Sequence, residues 1–290
     1  MDAISVTARR GDVVEAIHRV HAVAVRDGEV VATVGNAELV CYLRSSAKPI
    51  QARQLARACD DLDDAELAIA CASHRAEPAQ LEAVRRLLAR ARATEDDLDC
   101  GEQECRPPGR IHHNCSGKHA GMLAACRANG WPFAGYTQAE HPLQQAIARD
   151  LEEASGVTDH PTAIDGCGVP CFAMTLPAAA RLLTRAEPRI AEAMRARPEL
   201  VGGAGAPDTE LMRMLPGWIA KGGAEGLFCA AGPDGTGVAV KIEDGNFRAM
   251  KPALHRFFRD MLGLDLPGFD RVPLANSRGE TVGEVAIGGS

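Results

Sequence analysis

The sequence predicts an α+β fold over residues 1–290 as a single domain: an antiparallel sheet with flanking helices and a helical region. Two observations carry this reading. Apolar strand pairs with tight turns lie near both ends of the chain, and helical periodicity fills the middle. Strands adjacent in sequence pair antiparallel, whereas a doubly wound parallel sheet needs strands alternating with helices.

The elements follow in order. Residues 22–25 and 30–34 flank Asp27-Gly28, a two-residue hairpin turn. Leu81, Val84, Leu87 and Leu88 keep helical spacing after Glu77-Pro78. Leu143, Ile147 and Leu151 do so after His141-Pro142, with Gly156 as the stop. Residues 177–184 and 187–196 read as two short Ala-rich helices opened by proline. Residues 196–208, rich in Gly and Pro, read as a surface loop. Residues 227–230 and 238–242 flank Gly232-Pro233-Asp234-Gly235 as a second hairpin, and residues 247–262 as a closing amphipathic helix.

A length of 290 residues suffices for a sizeable core, and with aromatics at 4% that core must be filled largely by Ala and Leu. A net charge of −7 without a Lys/Arg block argues against a nucleic-acid partner. No apolar leader or membrane-length run is present, so a cytoplasmic location away from membranes is expected. The ten cysteines are scattered and read as reduced thiols. Cys41, Cys59, Cys71, Cys126 and Cys229 sit in apolar stretches and read as small core residues. Cys100 and Cys105 flank a Gly-Glu-Gln-Glu loop and form a weak candidate metal pair.

Five segments carry residues that the fold alone does not require. In His112-His113-Asn114-Cys115-Ser116-Gly117-Lys118-His119-Ala120-Gly121-Met122, a thiol and an amine stand three residues apart at a helix entry. Positions i and i+3 share a helix face, so Cys115 and Lys118 can address one object. The competing reading is a buried Cys beside an exposed Lys. In Arg44-Ser45-Ser46-Ala47-Lys48-Pro49, Pro49 places a helix start near Ser45 or Ser46, with Ser45 and Lys48 one turn apart. This spacing suits a serine nucleophile with a lysine base. Such a lysine must have its pKa lowered from about 10 towards 7–8, at about 4 kcal/mol. The competing reading is an N-cap Ser with a solvated Lys. Ile69-Ala70-Cys71-Ala72-Ser73-His74 ends an apolar helical stretch on a Ser-His pair, and Ala220-Lys221-Gly222-Gly223 puts a lysine before the second hairpin. Asp165-Gly166-Cys167-Gly168 reads as a tight turn presenting Asp165 and Cys167. Cys115, Lys118 and Cys167 would supply three zinc ligands with one open position, although Lys must lose its proton to bind.

Ser45/Lys48, then Ser73, then Lys221 follow the order of S-x-x-K, second Ser and K-[TS]-G in serine β-lactamases and penicillin-binding proteins. His74 stands where those enzymes place Asp, which puts a β-lactam substrate in doubt. Together with Val240-Lys241-Ile242-Glu243-Asp244-Gly245, the five motifs cover nearly the whole chain and resemble the Rhizobium-type L-asparaginases, the asparaginase II or class 3 enzymes.

The resemblance implies a serine β-lactamase-like fold, a homodimer, and hydrolysis of L-asparagine to L-aspartate and ammonia. It implies two Ser–Lys tandems, Ser45–Lys48 and Ser73–Lys221, and a zinc site of Cys115, Lys118 and Cys167. Ser45 is then the nucleophile with Lys48 as base, and Ser73, polarised by Lys221, relays the proton to ammonia. The reverse assignment, with Ser73 attacking, is chemically competent too. Arg44, His119 and Asp165 are expected substrate contacts. The chain is short for that family, and Ala206 stands where its pattern usually has Arg. Two other readings stay open: an amidase acting on glutamine or another small amide, and a non-catalytic amino-acid or metal sensor on the same scaffold.

Overall fold

The hairpin read at Asp27-Gly28 joins two of three successive antiparallel strands, β1 (Ile4–Arg10), β2 (Val13–Arg26) and β3 (Glu29–Val34). Asp27 and Gly28 have φ of 51° and 85°, the left-handed pair that a two-residue turn matching strand twist requires. Residues 1–104 and 106–288 are described in this computed structural model, so Cys105 lies outside the described residues. A small sheet follows from β4 (Val40–Tyr42), β5 (Thr162–Ile164) and β6 (Pro170–Thr175), in the order β4-β6-β5. The remaining strands are β7 (Ile219–Gly222), β8 (Leu227–Ala231), β9 (Gly237–Ile242), β10 (Arg271–Ala275) and β11 (Thr281–Ile287). They complete an eight-stranded antiparallel sheet ordered β10-β11-β1-β2-β9-β8-β7, with β3 also on β2.

The helices are α1 (Lys48–Gln51), α2 (Arg53–Ala58), α3 (Asp64–Ala70), α4 (Pro78–Ala91), α5 (Ser116–Asn129) and α6 (Pro142–Ser155). Then come α7 (Leu176–Thr184), α8 (Pro188–Ala196), α9 (Pro198–Gly202), α10 (Pro207–Met214) and α11 (Met250–Phe257). Both faces of β2 are buried from Val20 to Val25. Helix α7 packs on β2, β8 and β9, while α11 packs on β1, β9, β10 and β11. The α+β reading therefore holds: sheet and helical region are distinct, and the strands pair antiparallel.

Two expectations are corrected. Residues 196–208 are not a plain surface loop: they hold α9 and the start of α10, with Leu200 and Val201 fully buried. Pro198 and Pro207 each open a helix, where a missing N–H costs nothing, rather than breaking one. The closing helix is also not uniform. It begins as a 3-10 turn (Phe247–Ala249), continues as α11 and widens into a π-helical turn (Phe258–Leu262).

Helix α5 is the centre of the helical region. Its first eleven residues, Ser116 to Cys126, are all buried, so it behaves as a core helix rather than an amphipathic one. Gly117 permits this position: a Cβ there would lie 2.3 Å from the Ile69 carbonyl oxygen of α3. That close approach brings the end of α3, and Ser73 just beyond it, against the start of α5, with the Ser73–His74 backbone held by Ser73 N–H to Val201 O (2.9 Å) and His74 N–H to Asn114 O (3.1 Å).

Candidate active site

An open pocket of about 350 Å³ lies between the two regions, and Ser45, Ser73 and Lys221 line it together. Three structural decisions place them. Ser45 sits in a 3-10 turn, Arg44–Ala47, that runs into α1. Ser73 follows the end of α3. Lys221 belongs to β7, the terminal strand of the large sheet, which directly precedes the β8–β9 hairpin as the sequence indicates. Ser46 Oγ donates to the Lys221 carbonyl (3.0 Å), and a Cβ on Gly223 would meet Ser46 Oγ at 2.9 Å, so the Ser45 turn and β7 are tightly joined.

Lys48 does not point into the open pocket. It is 1% exposed, and its Nζ donates to the Ala72 carbonyl, to Ser73 Oγ (3.1 Å) and to Cys115 Sγ (3.3 Å). The hydrogen bond from Lys48 thus reaches Ser73, while Ser45 makes no side-chain hydrogen bond among the described residues. Lys221, also 1% exposed, directs its Nζ to Asp208 Oδ2 (3.4 Å) and the Gly222 carbonyl (2.7 Å) rather than to Ser73. Burial pulls the Lys221 pKa below its ordinary value; Asp208 opposes this, and the nearby Lys48 charge reinforces it.

Cys115, Lys118 and Cys167 converge behind Ser73, linked to it through Lys48. Lys118 Nζ donates to Cys167 Sγ at 2.8 Å, and Cys115 and Cys167 share a hydrogen bond. That bond, from the Cys167 thiol, draws the Cys115 thiol well below its ordinary value despite burial, with Lys48 assisting. The same bond and burial raise Cys167. Each sulfur is thus faced by one lysine, Cys115 by Lys48 at 3.3 Å and Cys167 by Lys118 at 2.8 Å. Burial pulls Lys118 down, but the facing Cys167 and Cys115 outweigh it and leave Lys118 raised. Among the described residues no group of three His, Cys, Asp or Glu forms a metal-holding cluster; the convergence here is two thiols and an amine. That donor set fits a zinc ion with one open position, on condition that Lys118 loses its proton. None of the three lines the open pocket.

The expected substrate contacts separate. Arg44 Nε donates to Asp165 Oδ1 (2.6 Å), and Arg44 approaches Glu225 at 3.9 Å on the pocket wall. Asp165 in turn accepts from Cys167 Sγ (3.6 Å) in the tight turn closed by Gly168 N–H to the Asp165 carbonyl (2.9 Å). His119 is fully buried away from the pocket, its Nδ1 2.7 Å from Tyr136 Oη. Burial holds its pKa well below the usual range.

Two residues of the site, Asp208 and Arg75, carry no motif in the sequence, and the contacts of His74 emerge only in the fold. Asp208, the partner of Lys221, sits in the first turn of α10, where an acid after Pro207 gave a modest signal. Arg75 lines the pocket two residues after Ser73. Buried His74 binds Ser116 Oγ through Nε2 (2.8 Å), and its Nδ1 accepts from Ala76 N–H (3.1 Å), so Nε2 carries the proton. Backbone strain flanks the pocket as well. Arg44 and Ala76, neighbours of Ser45 and Arg75, have φ of 47° and 61°, a region that side chains with a Cβ rarely adopt.

No curated protein matches the chain. Among solved structures, a β-lactamase from Mycobacterium bovis is similar over 78% of this chain and 87% of its own, at 18% identity and a TM-score of 0.34. The L-asparaginase II family matches residues 6–287, a span that includes Ser45, Lys48, Ser73, Cys115, Lys118, Cys167 and Lys221. By that match over nearly its whole length, the chain belongs to the L-asparaginase II family.

Proposed function

We propose that this protein hydrolyses L-asparagine to L-aspartate and ammonia through an acyl-enzyme formed on a pocket serine. The observation that carries the reading is the burial of Lys48 and Lys221 beside one pocket that also presents Ser45 and Ser73. Fully buried lysines are costly, and a cluster of them beside hydroxyls is the arrangement that activates a nucleophile.

Ser45, exposed to the pocket at the entry to α1, is the first candidate nucleophile, with Lys48 as base and Ser73, assisted by Lys221, passing a proton to the leaving ammonia. The Lys48–Ser73 hydrogen bond of 3.1 Å favours a second reading, in which Ser73 attacks and Lys48 takes its proton. In either case the serine oxygen bonds to the side-chain carbonyl carbon, the C–N bond breaks, ammonia leaves with the transferred proton, and water then cleaves the ester. Cys115, Lys118 and Cys167 would hold zinc behind Ser73. Bound there, it would supply Lewis acidity or a structural tie.

Ammonia release from L-asparagine, L-glutamine and other small amides tests the reaction. Activity on asparagine well above the rest supports it, and preference for glutamine would move the protein to a related amidase. Binding of amino acids with no release would leave a sensor. Mass spectrometry of acid-quenched enzyme then reads whether the acyl group sits on Ser45 or Ser73.

A further inference from the structure

We propose that Arg75 recognises the α-carboxylate of the substrate, an inference that deepens the asparaginase reading and rests on it for the identity of the ligand. The charges of the pocket carry the argument. Its lining holds two cations, Arg75 and Lys221, and two acids, Asp208 and Glu225. Lys221 is paired with Asp208 at 3.4 Å, and Glu225 is approached by Arg44 at 3.9 Å. Arg75 has no carboxylate partner among the described residues. It is the cation of the pocket left open to an anion from outside.

Its side chain is placed rather than free. Nη1 donates to the Ala204 carbonyl at 2.7 Å. Its stem packs on Gly203, where a Cβ would lie 3.0 Å from Arg75 Cδ. The backbone is held too, by Arg75 N–H to Gln80 Oε1 (2.9 Å), while Gln80 Nε2 donates to the Glu199 carbonyl at 3.0 Å. One guanidinium N–H is used in this way, and the remaining donors are available as a fork that matches a carboxylate. Because the fork is held in advance, little freedom is lost on binding. Ala206, on the same lining, contributes no charge. An amino-acid amide with its side-chain carbonyl at the serines and its α-carboxylate on Arg75 would be oriented for attack.

The experiment compares L-asparagine with its α-methyl ester, in which only the side-chain amide releases ammonia and the α-carboxylate is masked. Arg75→Ala is expected to raise KM for L-asparagine about ten- to a hundred-fold, with a much smaller change in kcat. KM for the ester should stay near its wild-type value. Arg75→Lys, which keeps the charge and loses the fork, should recover part of the affinity. An unchanged KM for asparagine, or an equal rise for both substrates, overturns the proposal while leaving the asparaginase reading intact. Calorimetric titration with L-aspartate gives a readout independent of turnover. If the wild-type protein releases no ammonia, the asparaginase reading falls; loss of aspartate binding in Arg75→Ala would still support the role of Arg75. Aspartate binding unchanged by the substitution, or absent from the wild type, overturns it.

Discussion

Lys48 Nζ lies 3.1 Å from Ser73 Oγ, so the first residue of α1 is bonded to the segment that leaves α3. The two residues are 25 positions apart and meet because α3 packs on α5 and the Lys48 side chain reaches both the end of α3 and Cys115 at the entry to α5. The Lys48–Ser73 contact is therefore a property of the tertiary fold, not of the S-x-x-K segment alone.

Substitution of Ser45, Lys48, Ser73 or Lys221 by Ala should each lower turnover by at least about a hundred-fold with the fold retained. The double variant of Lys48 and Ser73 should lose far less than the product of the singles, because the two act as one unit. Near-normal turnover in any single variant removes that residue from the chemistry.

Lys221 gives a pH signature. If its neutral amine is needed, the rate rises with pH through its lowered pKa, in a less alkaline range than an ordinary lysine gives. Asp208 holds that pKa up, so Asp208→Asn should move the rising limb to still lower pH. A limb that stays in place in the pH–rate profile of the variant shows that another group titrates.

His74 links acidity to stability. Burial, with the Lys48 charge adding to it, pushes its pKa from 6.5 down to about 3. Below pH 6.5 the unfolded chain takes up a proton that the folded chain refuses, so stability falls as pH drops from 6.5 towards 3. At pH 5 the loss from this one group is about 2 kcal/mol. His74→Gln should show a shallower decline in urea melts over that window, and a parallel decline would mean that the histidine is not the linked group.

For the metal, zinc per chain is the direct measurement, with about one expected. Cys115→Ser and Cys167→Ser should each strip most of it. Zinc affinity should fall as the pH drops, since Lys118 binds only as the free amine and its pKa is raised. Chelation that mainly raises KM marks an orienting ion, whereas a lowered Tm at constant KM marks a tie. A fully active protein that takes up no zinc refutes the site.

Gly117→Ala should destabilise the protein by roughly 2–4 kcal/mol, because the new methyl meets a backbone oxygen that cannot turn aside. Activity per folded molecule should fall as well, since Ser73 and Cys115 hang on either side of that contact. Near-native stability in a chemical denaturation curve would show that α3 and α5 can separate.

Much of this was legible in the sequence, for local reasons. Asp27-Gly28 announces its turn, the β8–β9 hairpin lies where its apolar runs predict, and Pro142 and Gly156 bound α6 at both ends. The edge pair β10 and β11 escaped because its strands are half exposed and carry Pro273 and Gly283, which weaken the alternating signal. At the site, the motifs named Ser45, Lys48, Ser73 and Lys221, but spacing along one helix suggested partners that the packing redistributes. Lys48 is turned by α3 and α5 towards Ser73, and Lys221 by α10 towards Asp208. Asp208, His74 and Arg75 matter through contacts distant in sequence, and no local pattern encodes those.

The left-handed backbone at Arg44 and Ala76 sets a limit on how this protein can be improved. Glycine at either position would relax the chain in the folded state, by of order 1 kcal/mol. The same change would free the segments that carry Ser45 and Arg75 to wander. Selection for heat resistance alone would drift toward such replacements and erode the catalyst, so hardening efforts belong on the far side of the large sheet.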